Sequence, residues 1–265
     1  MSADQNRLEP LLQVDAVSVR FGGIVALDAV TFDVRRGEVR GLIGPNGAGK
    51  STLFNCLSRL YPCSSGAIRF DGTVLTEQPR HRVAGLGIGR TFQNLALFRT
   101  MSVRENVLVG THARHKAGFL RDAFRMPGAV RSGAAARERG EQALESVGLQ
   151  PFADRVVADL PFGTQKRVEL ARALASDPKL LLLDEPACGL NHSELGALGD
   201  LILDLRERLK LTVLLVEHHM GLVTRVCDRI VVLNFGRKIA DGDAAEVRRD
   251  PAVVTAYLGE PGVTA

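Results

Sequence analysis

The sequence has no tryptophan and only two tyrosines, and aromatic residues make up 5% of it, which weakens any case for a base-stacking surface. Cysteine is scarce as well. The four thiols, Cys56, Cys63, Cys188 and Cys227, show no CxxC and no Cys/His pairing at zinc spacing, so buried or inert thiols are expected in place of a metal site. No apolar run approaches the ~20 residues that span a bilayer. Met1–Pro10 lacks the basic start, apolar stretch and cleavage site of a signal peptide, and the sequence predicts an intracellular, cytoplasmic protein. Nor does charge of one sign dominate: 34 Lys and Arg stand against 30 Asp and Glu, a net +4 that does not by itself announce a nucleic-acid binder. What is present is ordinary for a globular chain, 45% hydrophobic and 24% charged, which excludes disorder as the dominant state. At 265 residues a single core can be large enough to need no disulfides.

Hydrophobic periodicity then divides the chain. Leu11–Arg20 alternates as a strand does, and Val30, Phe32 and Val34 do so again before the turn at Arg35-Arg36-Gly37. Val39–Ile43 is a short apolar strand running into GPNGAGKST, after which Leu53, Phe54, Leu57 and Leu60 repeat at helical spacing until Pro62. Ala67–Val74 and GLGIGRTFQ return to strand or loop. From Ser102 to Gly148 the pattern is helical, with breaks expected at Gly110, Gly118, Pro127 and Gly133, and this middle third reads as a separate helical layer. Next come a helix over Lys166–Ala175, a buried strand over Leu180–Leu183, an amphipathic helix over Glu194–Leu209 and a buried strand over Val213–Val216. Such alternation implies a parallel sheet of the α/β class. Arg229–Leu233, Asn234-Phe235-Gly236 and Lys238–Ala240 read as a closing hairpin, with short helices around Glu246 and Val254.

The segment Gly44-Pro45-Asn46-Gly47-Ala48-Gly49-Lys50-Ser51 matches GxxxxGK[ST] in full, between a strand and a helix. Glycines let the backbone wrap closely enough for successive N–H groups to point at a β-phosphate, and the following helix adds its positive end. Lys50 is then expected to bridge the β- and γ-phosphates, the Ser51 hydroxyl to ligate Mg²⁺ and Thr52 to help hold the α-phosphate. Leu180–Leu183 ends in Asp184-Glu185, two carboxylates where ligands bind at the carboxyl edge of a parallel sheet. Asp184 is expected to hold the metal through its water shell, and Glu185 to polarise an attacking water as general base. Together they predict hydrolysis of the nucleotide as well as its binding.

Leu160-Pro161-Phe162-Gly163-Thr164-Gln165-Lys166-Arg167 and the residues up to Leu174 resemble the signature segment of ABC-type ATPases, shortly before the Asp184-Glu185 strand. Phe21 resembles that family's adenine-stacking aromatic, Gln93 in RTFQN its Q-loop glutamine and a metal contact, Gly189-Leu190-Asn191 its D-loop and His218 its switch histidine. The resemblance covers residues 11 to 258. It implies a P-loop ABC ATPase fold with a RecA-like parallel core and antiparallel β subdomain (11–93 and 160–241), a helical signature subdomain (94–159), and C-terminal helices and tail (242–265). GIGRTFQNLALF, AxGLN, VEHHM, VLNFGRKIADG and a terminal AYLG are similar to ATPase subunits of branched-chain amino-acid importers, and related urea and short-chain amide importers share much of the pattern. The implied partners are a second ABC ATPase, a paralogue or a copy of itself, two membrane permease subunits on the inner face of the plasma membrane, and, indirectly, an extracytoplasmic solute-binding protein. No nucleic acid is implied: ribosome-acting forms carry two ATPase units and DNA-repair forms a long coiled coil, and this chain has neither.

Four positions depart from the family pattern. The usual LSGGQ has Pro161 for its Ser, Phe162 for its first Gly and Thr164 for its Gln. Pro161 offers neither hydroxyl nor N–H, so Gly163, Thr164 and Gln165 are left to face the opposite subunit's γ-phosphate, from a helix expected to begin near Thr164. His219 stands where the subfamily has Asp; neighbouring side chains leaving a strand point apart, which argues against His218 and His219 as a zinc pair. Phe21 reads either as the stacking aromatic or as a strand residue packed in the core. The apolar NLALF after Gln93 is expected to line the groove for the membrane subunit. Between Thr111 and Arg139, seven basic residues face two acidic ones, a local +5 that leaves −1 for the rest of the chain. That run is a solvated face, or, with Phe119, Leu120, Ala123 and Phe124 beside it, a contact with lipid headgroups or the membrane partner.

Overall fold

The computed structural model describes residues 10–92, 95–114 and 127–258. Within them the strands are β1 (Pro10–Phe21), β2 (Ile24–Arg35), β3 (Val39–Ile43), β4 (Ser65–Phe70), β5 (Thr73–Val74), β6 (Ile88–Arg90), β7 (Leu180–Asp184), β8 (Thr212–Val216), β9 (Arg229–Asn234) and β10 (Arg237–Gly242). They form two sheets. One is antiparallel, ordered β2-β1-β4-β5; the other is ordered β10-β9-β3-β8-β7-β6, parallel throughout except for the β9–β10 hairpin. All five residues of β3, of β7 and of β8 are buried, as expected of strands covered on both faces.

Alternate residues of those strands serve two cores. Leu42, Leu182, Leu214 and Val231 pack with the antiparallel sheet (Val14, Phe32, Ile68, Phe70) and with Leu53, Phe54 and Leu57 of α1 (Lys50–Leu57). Val39, Leu181, Leu183, Val213 and Leu215 face the helices on the other side. Those helices, after the single turn α2 (Val83–Leu86), are α3 (Val103–Gly110), α4 (Pro127–Ser146), α5 (Phe162–Leu174) and α6 (His192–Leu209), followed by α7 (Met220–Val226), α8 (Ala244–Arg249) and α9 (Pro251–Leu258). Capping boxes start α3 (Ser102 with Glu105), α6 (Asn191 with Glu194) and α8 (Asp243 with Glu246).

Four expectations shift. Helix α1 ends at Leu57, well before Pro62, because Arg59 turns into the left-handed region and the N–H groups of Leu60 and Tyr61 both donate to the Asn55 carbonyl. Helix α4 passes unbroken through Gly133 and Gly140. A Cβ at Gly140 would sit 2.8 Å from Leu108 Cδ2, so that glycine serves helix contact and does not end the helix. Gly110 does close α3, where a Cβ would stand 1.9 Å from the Arg172 carbonyl oxygen. Helix α5 starts at Phe162, capped by Pro161, earlier than the expected Thr164. Cys56 is buried, but Cys188 is exposed, so the thiols are not uniformly hidden. Gly118 and the part of the basic run at 115–126 lie outside the described residues.

Candidate nucleotide site

Four neighbouring strands, β3, β8, β7 and β6, point their carboxyl ends the same way, and the loops that leave them carry the predicted chemistry. The Gly44–Gly49 loop leaves β3. Its glycines are forced: Gly44, Gly47 and Gly49 have φ of 150°, 78° and 101°. A Cβ on Gly44 would lie 2.1 Å from the Leu233 carbonyl oxygen, and one on Gly49 2.7 Å from that of Ala26. The loop is thus wedged between β2 and the β9–β10 turn, where Gly236 donates its N–H to the Ala48 carbonyl (3.0 Å) and accepts at its own carbonyl from Asp28 (2.8 Å). Pro45, Asn46 and Gly47 form the open side; Ala48 is buried beneath them.

The Lys50 ammonium is buried and donates to the carbonyls of Gly44 (2.7 Å) and Pro45 (2.9 Å). Burial pushes its pKa down, opposed by the nearby carboxylates of Glu185 and Asp184. Ser51 is exposed and Thr52 half-buried in the first turn of α1, whose N–H groups open onto the loop. Burial raises the pKa of the Tyr257 phenol in α9, opposed by the nearby backbone of Gly44, so the last helix also approaches the cradle.

Asp184 ends β7 in the sheet interior. Burial raises its carboxyl pKa, against the pull of Arg90, whose Nη2 lies 3.0 Å from its Oδ2. The same guanidinium donates through Nη1 to Asn55 Oδ1 (3.0 Å) and Ser58 Oγ (2.9 Å), and it stacks between Phe54 and Phe92. Glu185 adopts φ 47°, unusual for a non-glycine residue. Its N–H donates to the Val216 carbonyl (2.9 Å), and its Oε1 lies 4.0 Å from Nδ1 of the exposed His218. His219 N-caps α7.

Phe21 is not a core residue. It is 45% exposed, its ring edge-on to Tyr61 with centroids 5.2 Å apart, at the Gly22-Gly23 turn. Gln93 lies outside the described residues, but Phe92 before it donates its N–H to Oε1 of Glu169 in α5 (2.9 Å), a carboxyl whose pKa burial raises. In the signature turn, Thr164 and Gln165 both donate N–H to the Pro161 carbonyl (3.0 Å each). The Gln165 side chain turns back to the Leu160 carbonyl (2.8 Å), and Gly163 is half-buried at the start of α5, where a Cβ would stand 2.5 Å from Glu194 Oε1. Phe162 covers Gly189 of the next loop, where a Cβ would meet the ring at 2.8 Å. A cavity of about 300 Å³ separates α5 and α6 from the end of β7, lined among others by Phe92, Lys166, Asp184 and Leu198.

Sequence reasoning overlooked Arg90, Glu169 and Glu217. Glu217 had a signal of the kind that singled out Asp184, an acid ending an apolar strand; Arg90, a lone cation closing GIGR, had a weaker one.

A strand, a glycine cradle with a buried lysine, and a carboxylate on the next-but-one strand define a P-loop nucleoside-triphosphate-binding protein. The ABC transporter family profile matches residues 27–188, and a profile described as branched-chain amino acid ATP-binding cassette transporter matches residues 237–263. The chain is 44% identical over 251 residues to the high-affinity branched-chain amino acid transport ATP-binding protein BraF of Pseudomonas aeruginosa, covering 95% of this chain and 98% of that one. It is 42% identical over 252 residues to LivG of Escherichia coli K12, described in the same words, covering 95% and 99%. A solved ATP-binding cassette of an ABC transporter in its ADP conformation superposes with a TM-score of 0.82 at 31% identity, over 95% of this chain and 100% of that one. The chain belongs to the ABC transporter family, as an ATP-binding and ATP-hydrolysing member. No helix among the described residues is long and apolar enough to cross a membrane.

Proposed function

We propose that this chain is the ATPase subunit that powers import of branched-chain amino acids through a membrane ABC transporter, at the inner face of the plasma membrane. The similarity to BraF and LivG and the match over 237–263 support the solute class. What carries the hydrolytic reading is the meeting of the loops after β3, β7 and β8, which sets Lys50, Asp184, Glu185 and His218 around one cradle.

In this reading Phe21 stacks on the adenine, the N–H groups of Gly44–Thr52 receive the phosphates, and Lys50 leaves its loop carbonyls for the β- and γ-phosphate oxygens. The donor set fits Mg²⁺: one hydroxyl, Ser51, and one buried carboxylate, Asp184, with Gln93 in addition, suit a hard ion that takes its remaining ligands from phosphate and water. When bound it neutralises charge on the β- and γ-oxygens. Glu185 takes a proton from the attacking water as the bond to the γ-phosphorus forms and the bond from that phosphorus to the β–γ bridging oxygen breaks, with ADP as the leaving group, and His218 steadies the γ-phosphate. The turn around Gly163, Thr164 and Gln165 covers the γ-phosphate held by the opposite subunit, so dimer closure completes the site. Residues 11–93 and 160–241 act as the nucleotide-binding core, 94–159 as the helical arm and 242–265 as a C-terminal appendage. Two permease subunits, a second ATPase and an extracytoplasmic binding protein complete the machine.

The test is ATPase activity of the chain purified with its membrane partners, titrated with candidate solutes. Stimulation by leucine, isoleucine or valine supports the proposal, and stimulation by urea or short amides alone overturns the solute. Glu185→Gln should trap an ATP-bound dimer, and a persistent monomer in ATP would count against the sandwich.

A further inference from the structure

Glu217 follows β8 and is completely buried, yet it belongs to neither the P-loop nor the predicted catalytic set. Its Oε1 accepts the N–H of Ala187 at 3.1 Å; its Oε2 accepts the N–H groups of His218 (2.9 Å) and His219 (3.1 Å). One carboxylate therefore ties together two loops, the turn Glu185–Ala187 and the stretch His218–His219. The first of these is strained, since Glu185 sits at φ 47°, and such a conformation persists only when its surroundings hold it. Here it is gripped on both sides, by Val216 accepting from Glu185 and by Glu217 accepting from Ala187.

We propose that Glu217 is the positioning residue that sets Glu185 and His218 against each other for hydrolysis. It touches neither nucleotide nor water itself, and acts by fixing the backbone from which both side chains project; their 4.0 Å approach follows from that common anchor. The inference rests on the reading above that Glu185 and His218 perform the chemistry.

The decisive substitution is Glu217→Gln, which keeps shape but exchanges one acceptor oxygen for an N–H₂ donor. The amide can satisfy His218 and His219 with its oxygen, and its nitrogen then faces the Ala187 N–H, so the Glu185 turn is released first. We expect kcat to fall about tenfold with KM for ATP changed less than about twofold, the pattern of an interaction felt in the transition state. Placed in a His218→Ala background, the same change should cost less than about twofold more, because the position it protects is already lost. Full additivity, or a rise in KM as large as the fall in kcat, overturns the proposal. Amide hydrogen exchange of the unaltered chain needs no variant: Ala187, His218 and His219 should exchange slowly, and rapid exchange at these three would sink the idea even if the variant failed to fold. Should Glu185→Gln and His218→Ala both hydrolyse ATP normally while those amides stay protected, the catalytic reading fails and the Glu217 anchor stands as structure alone.

Discussion

Arg90 and Asp184 form a buried ion pair across adjacent parallel strands, Nη2 to Oδ2 at 3.0 Å, and the same guanidinium reaches the last turn of α1. The end of β7 is thereby tied to the helix that follows the P-loop. Removing the arginine leaves a buried carboxylate without its partner, which is costlier than the pair itself is stabilising. Arg90→Met should raise the Mg²⁺ concentration needed for half-maximal ATPase severalfold and lower kcat. Arg90→Lys should rescue little, since an ammonium cannot fork between Asp184, Asn55 and Ser58. An unchanged Mg²⁺ titration in both variants would refute this.

Pro161 caps α5 without a side-chain hydrogen bond. Pro161→Ser supplies a hydroxyl able to accept an N–H of the first turn, worth about 1 kcal/mol. It also restores the group that the family's signature presents to the opposite nucleotide. The expected outcome is a higher melting temperature for the isolated chain and a higher ATPase rate for the purified complex. A higher melting temperature with an unchanged rate would show that the hydroxyl only caps the helix.

Phe98 is 50% exposed, while its backbone is pinned by the buried Asn106, which accepts the Phe98 N–H (2.9 Å) and donates to its carbonyl (3.0 Å). Leu97, by contrast, packs on the core beside α5, so replacing it would confuse coupling with stability. Phe98→Asp is the cleaner probe of contact with the membrane subunit. It should leave ATPase of the isolated chain intact and reduce solute-stimulated ATPase of the assembled transporter. Equal stimulation in variant and parent would place the contact elsewhere.

The P-loop and the Asp184-Glu185 pair are legible because each is a contiguous string at the end of an apolar strand, and His218 because its segment resembles the family's. What was not legible lies between strings. Arg90 reaches Asp184 across 94 residues of sequence, and Glu217 reaches Ala187 across 30. Neither partnership leaves a local pattern. Gly133 misled for a related reason, since a glycine's cost within a helix is small beside the packing of the helix face as a whole.

Asp71, in the β4–β5 turn, accepts hydrogen bonds from Lys179 and Arg36, which hold its carboxyl below the ordinary range. A depressed acid stabilises the fold above its unfolded pKa, and the contribution is lost as pH falls through the folded value. Asp71→Asn should thus lower stability at pH 7 by at most about 1 kcal/mol, because the partners are partly exposed. The gap between parent and variant should close in acid, below pH ~4. A gap that persists in strong acid, measured by thermal melts, would assign the effect to shape and not to charge.

The lodging of Gly44 beneath the Leu233 carbonyl bears on how the protein comes into being. Synthesis runs from the amino end, so the P-loop leaves the ribosome long before β9, which must slot between β3 and β10 to wall the cradle. Until about two hundred further residues have emerged, the lysine and its glycines lack the neighbours that shape them. The shape of the cradle is therefore completed only together with the sheet.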